Sequence, residues 1–310
     1  MNVLSLFDGM SCGQLALERS NIKVDKYFAS EIDKHTIKVA QTNFPNTIQL
    51  GNVNDLNGKD LPNIDLLIGG SPCQGFSFAG KQLNFNDPRS KLFFEYVRLL
   101  EETNPKYFLL ENVNMKQEYQ DIISKYLGVK PVKLNSILTS AQRRVRLYWA
   151  NFKITEPEDQ NIKLNDILEQ HEMNNPSTIR GRNLNKASIV GRRLNEEGKR
   201  DDYNKKIKYT QCLEVKEDQS KSNCLTTVSK DTVLTTLPYG QYPDAYNKKL
   251  PFRNYTKIER CRLMNLPDNY CDVISDNQTV KATGNGWEVG MITHIFNCLT
   301  KHDGNIQLNT

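Results

Sequence analysis

Residues 69–77 read GGSPCQGFS, which sets one thiol, Cys73, directly behind Pro72 and between glycines at the end of an apolar run. A thiolate is the nucleophilic form of cysteine, and exposure, local donors and positive charge make it available. Proline before the cysteine and glycine nearby describe a rigid loop projecting from a strand end, a shape that suits a nucleophile. ENV (111–113) brings a carboxyl and an amide together at Glu111 and Asn112. QRRVR (142–146) puts Gln142, Arg144 and Arg146 on one face of an extended segment and Arg143 and Val145 on the other. Beside an active site, that face can hold a phosphate or a carbonyl. FDGMSCG (7–13) is a glycine-bearing turn whose backbone a ligand can approach closely. Its spacing departs from G-x-G-x-x-G, and Asp8 inside it would repel a pyrophosphate, so a cationic or amino-acid-bearing cofactor fits better. Each feature also has a plain structural reading: an inert core cysteine, solvated charges, a tight turn.

The elements that must position these groups alternate between strand and helix. VLSLF (3–7) is a short apolar run closed by Asp8-Gly9, and helical patterning follows from Gly13 to Arg19. KYFAS (26–30) reads as a strand, and the helix-like IDKHTIKVAQTNF ends before Pro45. IDLLIGG (64–70) and KYFLLENV (106–113) read as strands around the amphipathic helix KLFFEYVRLLEET (91–103). Helix, strand and strand follow around 116–127, 130–138 and 145–152. The fold class expected is therefore α/β: a Rossmann-like, mainly parallel sheet with helices on both faces. Ligands of such sheets lie at the carboxyl ends of the strands. Asp8, Glu31, the 69–77 loop and Glu111 all fall there, and Glu31 is placed to accept from ribose hydroxyls.

Composition is ordinary for a globular chain of 310 residues, with 38% hydrophobic and 25% charged residues. No apolar run reaches the length of a membrane span. The N-terminus lacks a basic region and meets Asp8 after a very short apolar stretch, unlike a signal peptide. Seven dispersed cysteines without a CxxC pair argue against a disulfide scaffold and a zinc ribbon, so no metal and a reducing cytoplasm are expected. The net charge of +5 permits a nucleic-acid partner without implying one.

From about residue 153 the character changes. Residues 180–210 hold ten Lys or Arg against four Asp or Glu. Such a stretch is either a disordered linker or a loop-rich reader of nucleic acid. Apolar patterning resumes in 224–237 and 258–270, and GWEVGMITHIFNCLT (286–300) reads as a final helix.

Taken in order, SLFDGMSCG, YFASEID, GNV (51–53), GGSPCQGFS, DPRSKLFFEYVRLL, ENV, QRRVR, RNYTKIERCRLMNLPDNY (253–270) and ATGNGWEVG (282–290) resemble the motif series of the cytosine-C5 DNA methyltransferases of bacterial or phage type. The match runs over nearly the whole chain. The resemblance implies a catalytic and cofactor-binding domain over 1–152, a smaller irregular target-recognition domain over 153–280, and a segment 281–310 returning to the first. It implies S-adenosylmethionine as methyl donor, S-adenosylhomocysteine as product, double-stranded DNA as substrate, a monomer on that DNA, and a cognate restriction endonuclease as a candidate partner.

Cys73, preceded by Pro72, would add to C6 of a flipped cytosine; Glu111 would meet N3 and the exocyclic amine, Arg144 the carbonyl O2, and Arg146 a nearby site or phosphate. Asn112 would orient the loop. Phe7, Asp8, Gly9, Ser11, Cys12, Gly13, Glu31, Ile32, Asn52, Val53, Leu92, Asn285, Gly286 and Trp287 would line the cofactor. Asn52 stands where the family usually carries an acid facing the adenine amino group; an amide oxygen can still accept. Gln74, Arg180, Arg182, Arg192, Arg193 and Arg200 would contact DNA, and 74–90 would close over the base. The competing readings are a tRNA cytosine-C5 methyltransferase on the same scaffold, an inactive DNA-binding relative, and a nicotinamide oxidoreductase, which the first glycine turn disfavours.

Overall fold

The structure, a computed structural model, describes residues 1–71, 91–169 and 184–309. Pro72, Cys73, Gln74, the 74–90 loop, Arg180 and Arg182 therefore lie outside the described residues.

Buried apolar runs build the main sheet. Its strands are β1 (Asn2–Leu6), β2 (Lys26–Ser30), β3 (Ile48–Gln49), β4 (Leu66–Gly69), β5 (Tyr107–Val113), β6 (Val132–Asn135) and β7 (Val145–Ala150). They are ordered β3-β2-β1-β4-β5-β7-β6. The pairings among β1 to β5 are parallel, whereas β7 runs antiparallel to both β5 and β6. Alternate side chains feed two separate cores. Val3, Leu66, Ile68 and Leu109 face one layer, and Leu4, Leu6, Leu67 and Leu110 face the other. A parallel sheet covered on both faces needs this double burial, which is why its strands read as continuous apolar runs.

The first core receives α1 (Cys12–Arg19), α2 (Lys34–Asn43) and, from the far end of the chain, α8 (Val289–His302). The second receives α3 (Lys91–Thr103) and α4 (Gln117–Leu127). The short α5 (Leu164–Ile167), α6 (Lys257–Leu263) and α7 (Asp276–Asn285) join the first core as well, through Leu164, Cys261, Leu263 and Ala282. The composition break at 153 and the boundary at 280 are thus not packing boundaries: residues 154–168 and 255–274 share the main core, and 280 falls inside α7.

The segment expected to be irregular holds a second sheet of five strands, with its own small core of Ala187, Ile189, Leu213, Val215, Val233 and Ala245. Strands β8 (Asn185–Arg192), β9 (Thr210–Val215), β10 (Val233–Thr235), β11 (Gly240–Tyr242) and β12 (Phe252–Asn254) pair antiparallel in the order β11-β9-β8-β10-β12. Among the described residues no helix is long and apolar enough to cross a membrane.

Because α8 closes the first core from the chain's far end, its fully buried Phe296 bears on the whole domain. Phe296→Ala is expected to lower unfolding stability by about 3–5 kcal/mol, the range for emptying a buried aromatic site, as read from the midpoint of a urea titration.

Candidate active site

The strand ends and helix starts enclose one cavity of about 500 Å³, a size that suits a nucleoside-bearing ligand. One wall is the turn from β1 to α1. Phe7, Gly9 and Ser11 all take left-handed backbone conformations, with φ of 57°, 60° and 57°. For Phe7 and Ser11 that geometry is strained and needs support from its surroundings. The support is a net of hydrogen bonds around two carboxylates. Asp8 accepts from Tyr27 OH at 2.8 Å and from the Ser11 hydroxyl. Glu31, at the end of β2, accepts from the Gly9 amide at 2.8 Å and from the amides of Ile32 and Asp33 at 2.7 and 2.9 Å. One of these bonds supports the turn and two hold the chain just after Glu31, so three of its roughly four lone-pair directions are used and one is left for a ligand. Burial pushes the Asp8 carboxyl up to about 6, with the nearby Glu31 charge adding to the shift.

Apolar faces complete this end. Val53 and Leu92 line it, and Ile32, 73% exposed, stands at the rim. Asn52 is present, but its side-chain oxygen already accepts from the Asn54 amide at 3.1 Å and from Asn54 Nδ2 at 2.9 Å. The amide oxygen expected to meet an adenine amino group thus caps its own short turn instead. Ser11 is fully buried beneath the turn and serves Asp8 from there.

The other end of the cavity is made by β5 and β7. Glu111 lies opposite Tyr148 and Val113 opposite Arg146, so Glu111 and Arg146 are diagonal neighbours on one face. Arg146 Nε reaches Glu111 Oε1 at 2.9 Å, and Trp287 Nε1 donates to Glu111 Oε2 at 3.1 Å. Asn112, on the opposite face, donates to Ser71 Oγ at 3.3 Å and so ties β5 to the residue preceding Pro72.

Arg144 also lines the cavity, with its guanidinium engaged by the backbone. Its buried guanidinium donates to the carbonyls of Leu225 at 3.0 Å, Gly284 at 3.1 Å and Gly286 at 2.7 Å. Gln142 likewise donates to the Leu263 carbonyl and accepts from the Leu225 amide at 3.2 Å. Of the three residues on that face, two brace the chain, and Arg146 is the one paired with Glu111.

Sequence reasoning missed Gln278 and Lys281 of α7, which line the cavity. Both stand just before the glycine-bearing stretch, on a helix whose composition gives no distinguishing signal. It also missed Gly70: a Cβ there would stand 2.7 Å from Trp287 Nε1, so only glycine lets the indole reach Glu111.

On the small sheet, the three described arginines chosen as DNA contacts are engaged within the hairpin. Arg192 pairs with Glu214 at 2.6 Å, and Arg200 pairs with Asp202. Arg193 donates to the carbonyls of Ile207 and Asp202 and lies 3.9 Å over the Tyr209 ring. Lys199, Lys205, Lys206 and Lys208 are exposed beside them, as are Tyr203 and Tyr209.

A mainly parallel sheet with a ligand cavity at its strand ends, joined to an antiparallel module, defines the fold class. The model for the C-5 cytosine-specific DNA methylases matches residues 1–126 and 133–301, and the chain belongs to that family. It is 30% identical over 320 residues to the type II methyltransferase M1.ScrFI of Lactococcus lactis subsp. cremoris, covering 94% of this chain and 75% of that one. In fold it is similar to the Entamoeba histolytica methyltransferase EhMeth (TM-score 0.69, 18% identity, covering 97% and 98% of the two chains). It is also similar to the S. pombe Dnmt2 methyltransferase (TM-score 0.68, 20% identity, 97% and 98%). Methyl transfer in this family uses S-adenosylmethionine. The cavity's chemistry fits that group: a half-buried carboxylate that a cation would relieve, a second carboxylate with one open position, and apolar walls.

The raised Asp8 has a measurable consequence. A ligand ammonium or sulfonium favours the ionised carboxylate, which is depleted as pH falls through about 6. Affinity for S-adenosylhomocysteine, read by calorimetry, is expected to be level above neutrality and to fall about tenfold per pH unit well below that point. Asp8→Asn should bind more weakly and lose this slope.

Proposed function

We propose that this chain methylates cytosine C5 in double-stranded DNA through a covalent adduct of Cys73, with Glu111 and Arg146 holding the base. The observation that carries the reading is the single cavity lined both by the Asp8–Glu31 turn and by the Glu111–Arg146 pair. Such a space can bring a methyl donor and a pyrimidine together and exclude water from between them.

C5 of cytosine is too weak a nucleophile to take a methyl group unaided. Addition of the Cys73 thiolate to C6 forms a C–S bond and shifts an electron pair toward N3 and C5, making C5 enamine-like. Glu111 stabilises that shift by donating a hydrogen bond to N3 while accepting from the exocyclic amine. We assign the carbonyl O2 to Arg146, because Arg144 is committed to backbone carbonyls and Arg146 already stands at Glu111. S-adenosylmethionine supplies the methyl group as an electrophile. Loss of the C5 proton to a base then returns the electron pair to the ring, the C6–S bond breaks, and Cys73 leaves as thiolate.

The target atoms are shielded in stacked duplex, so the base must be turned out into the cavity, at a cost of a few kcal/mol. Asp8 and Glu31 bind the donor end, and Val53, Leu92 and Ile32 exclude water around it. On the small sheet we assign phosphate contacts to Lys199, Lys205, Lys206 and Lys208. Tyr203 and Tyr209 offer flat faces and hydroxyls for base or sugar contacts. The type II designation of M1.ScrFI supports a role in protecting DNA beside a cognate endonuclease.

Bisulfite sequencing of DNA from a methylation-free host expressing the chain tests this directly. Protected cytosines are expected in one recurring context and should vanish with Cys73→Ala. Glu111→Gln should slow methylation by about 10²–10⁴-fold, the usual worth of a positioned acid or base. Protected cytosines in host tRNA alone would transfer the reading to RNA. Soluble protein with no protected cytosine anywhere would sink it.

A further inference from the structure

Glu111 is held from both sides by partners from distant parts of the chain: Arg146 Nε at Oε1, 2.9 Å away, and Trp287 Nε1 at Oε2, 3.1 Å away. Trp287 lies between α7 and α8, 176 positions along the chain from Glu111. The indole is fixed where it stands. Arg144 grips the carbonyls of Gly284 and Gly286 immediately before it. Glu288, immediately after it, caps α8 by accepting from the amides of Gly290 and Met291 at 2.8 and 3.0 Å. Glycine at 70 clears one side of it, since a Cβ there would stand 2.7 Å from Nε1.

We propose that Trp287 is a positioning residue for Glu111, whose indole N–H selects which carboxyl oxygen serves the base. The inference rests on the function proposed above. An indole N–H donates and cannot accept, so an oxygen that faces it cannot also carry the carboxyl proton along that direction. Oε2 is thereby held as an acceptor, and the proton used at the pyrimidine N3 resides on Oε1. The Arg146 contact at Oε1 is the one that gives way when the base enters, Arg146 turning to the base carbonyl. Because Trp287 also lines the donor end of the cavity, one side chain borders both reactants.

The test separates activation of the base from use of the methyl donor. Without any donor, the adduct makes C5 nucleophilic enough to take up a solvent proton and lose its own. Release of tritium from DNA carrying 5-tritiated cytosine therefore reads activation of the base, Glu111 included, without the methyl donor. For Trp287→Phe we expect tritium release and kcat for methylation to fall together, by about ten- to hundredfold, as for one lost hydrogen bond to a charged group. The unfolding midpoint should stay close to the parent's; a change in the KM for S-adenosylmethionine is also expected, because Trp287 borders the donor, and it does not enter the donor-free tritium readout. Replacement of Trp287 by the sulfur isostere 3-benzothienylalanine keeps the ring and removes only the N–H, so it should reproduce the loss even where phenylalanine disturbs folding. Unchanged tritium release in the isostere, whatever happens to the donor KM, would overturn the proposal. A parent protein that neither releases tritium nor methylates cytosine would instead overturn the underlying function, and that result is visible before any variant is made.

Discussion

A guanidinium buried among backbone carbonyls holds the catalytic end of this molecule together. Burying a cation is costly unless its donors are satisfied, and Arg144 meets that cost without a carboxylate. Its planar fork gathers carbonyls from residues 81 and 142 positions away, which a flexible ammonium could not orient as well. The grip joins the start of β7 to residue 225 and to the Gly284–Gly286 stretch. Gln142 adds a second tie from the same face to residues 225 and 263. Gly284 shows how close the approach is: a Cβ there would stand 2.4 Å from the Thr226 carbonyl carbon. The position of Trp287 follows from this grip, and the orientation of Glu111 follows from Trp287.

The opposite end of the cavity is organised by acids rather than by a cation. Asp8, through Tyr27 and Ser11, and Glu31, through the Gly9 amide, support a turn that would otherwise be strained at Phe7 and Ser11. That leaves a carboxyl whose ionisation burial resists, awaiting a positive ligand. One cavity thus carries an uncompensated acidic end for a cationic donor and a compensated Glu111–Arg146 end for a neutral, hydrogen-bonding base. On the function proposed above, that separation of charge along its length would help to orient the two reactants.

Legibility in the sequence followed the physics of each element. Strands β1, β2, β4 and β5 were readable to within about two residues because parallel strands are buried on both faces and leave continuous apolar runs. The second sheet was not readable. Its longest strand, NKASIVGR, carries a lysine that is almost fully buried, its ammonium donating to the Lys221 carbonyl. A charged residue at a core position, rescued by a partner 35 residues away, defeats any alternation rule. The carboxyl and the arginine-bearing face of the site were visible as types. Which arginine braces and which faces Glu111 was not, because residues 225, 284 and 286 decide it by folding back across the sheet. Trp287 could be placed at the cavity from its motif, yet its bond to Glu111 depends on the missing side chain at Gly70.

The basic hairpin obeys a similar logic of commitment. Between residues 192 and 214 the arginines are paired with Glu214 and Asp202 or with backbone carbonyls, while the lysines stay exposed, Lys199 beside Glu197 at 2.8 Å. An arginine bound in a fork is spent on geometry; a lysine on its long stem keeps its charge available at the surface. The seven basic residues between 192 and 208 therefore divide into those that shape the hairpin and those that give it its field. A phosphate backbone responds to field more than to the identity of the cation. On the DNA substrate proposed above, sequence discrimination would then come from groups with fixed direction, and Tyr209, clamped under Arg193 with its hydroxyl 2.9 Å from Nη1, is such a group.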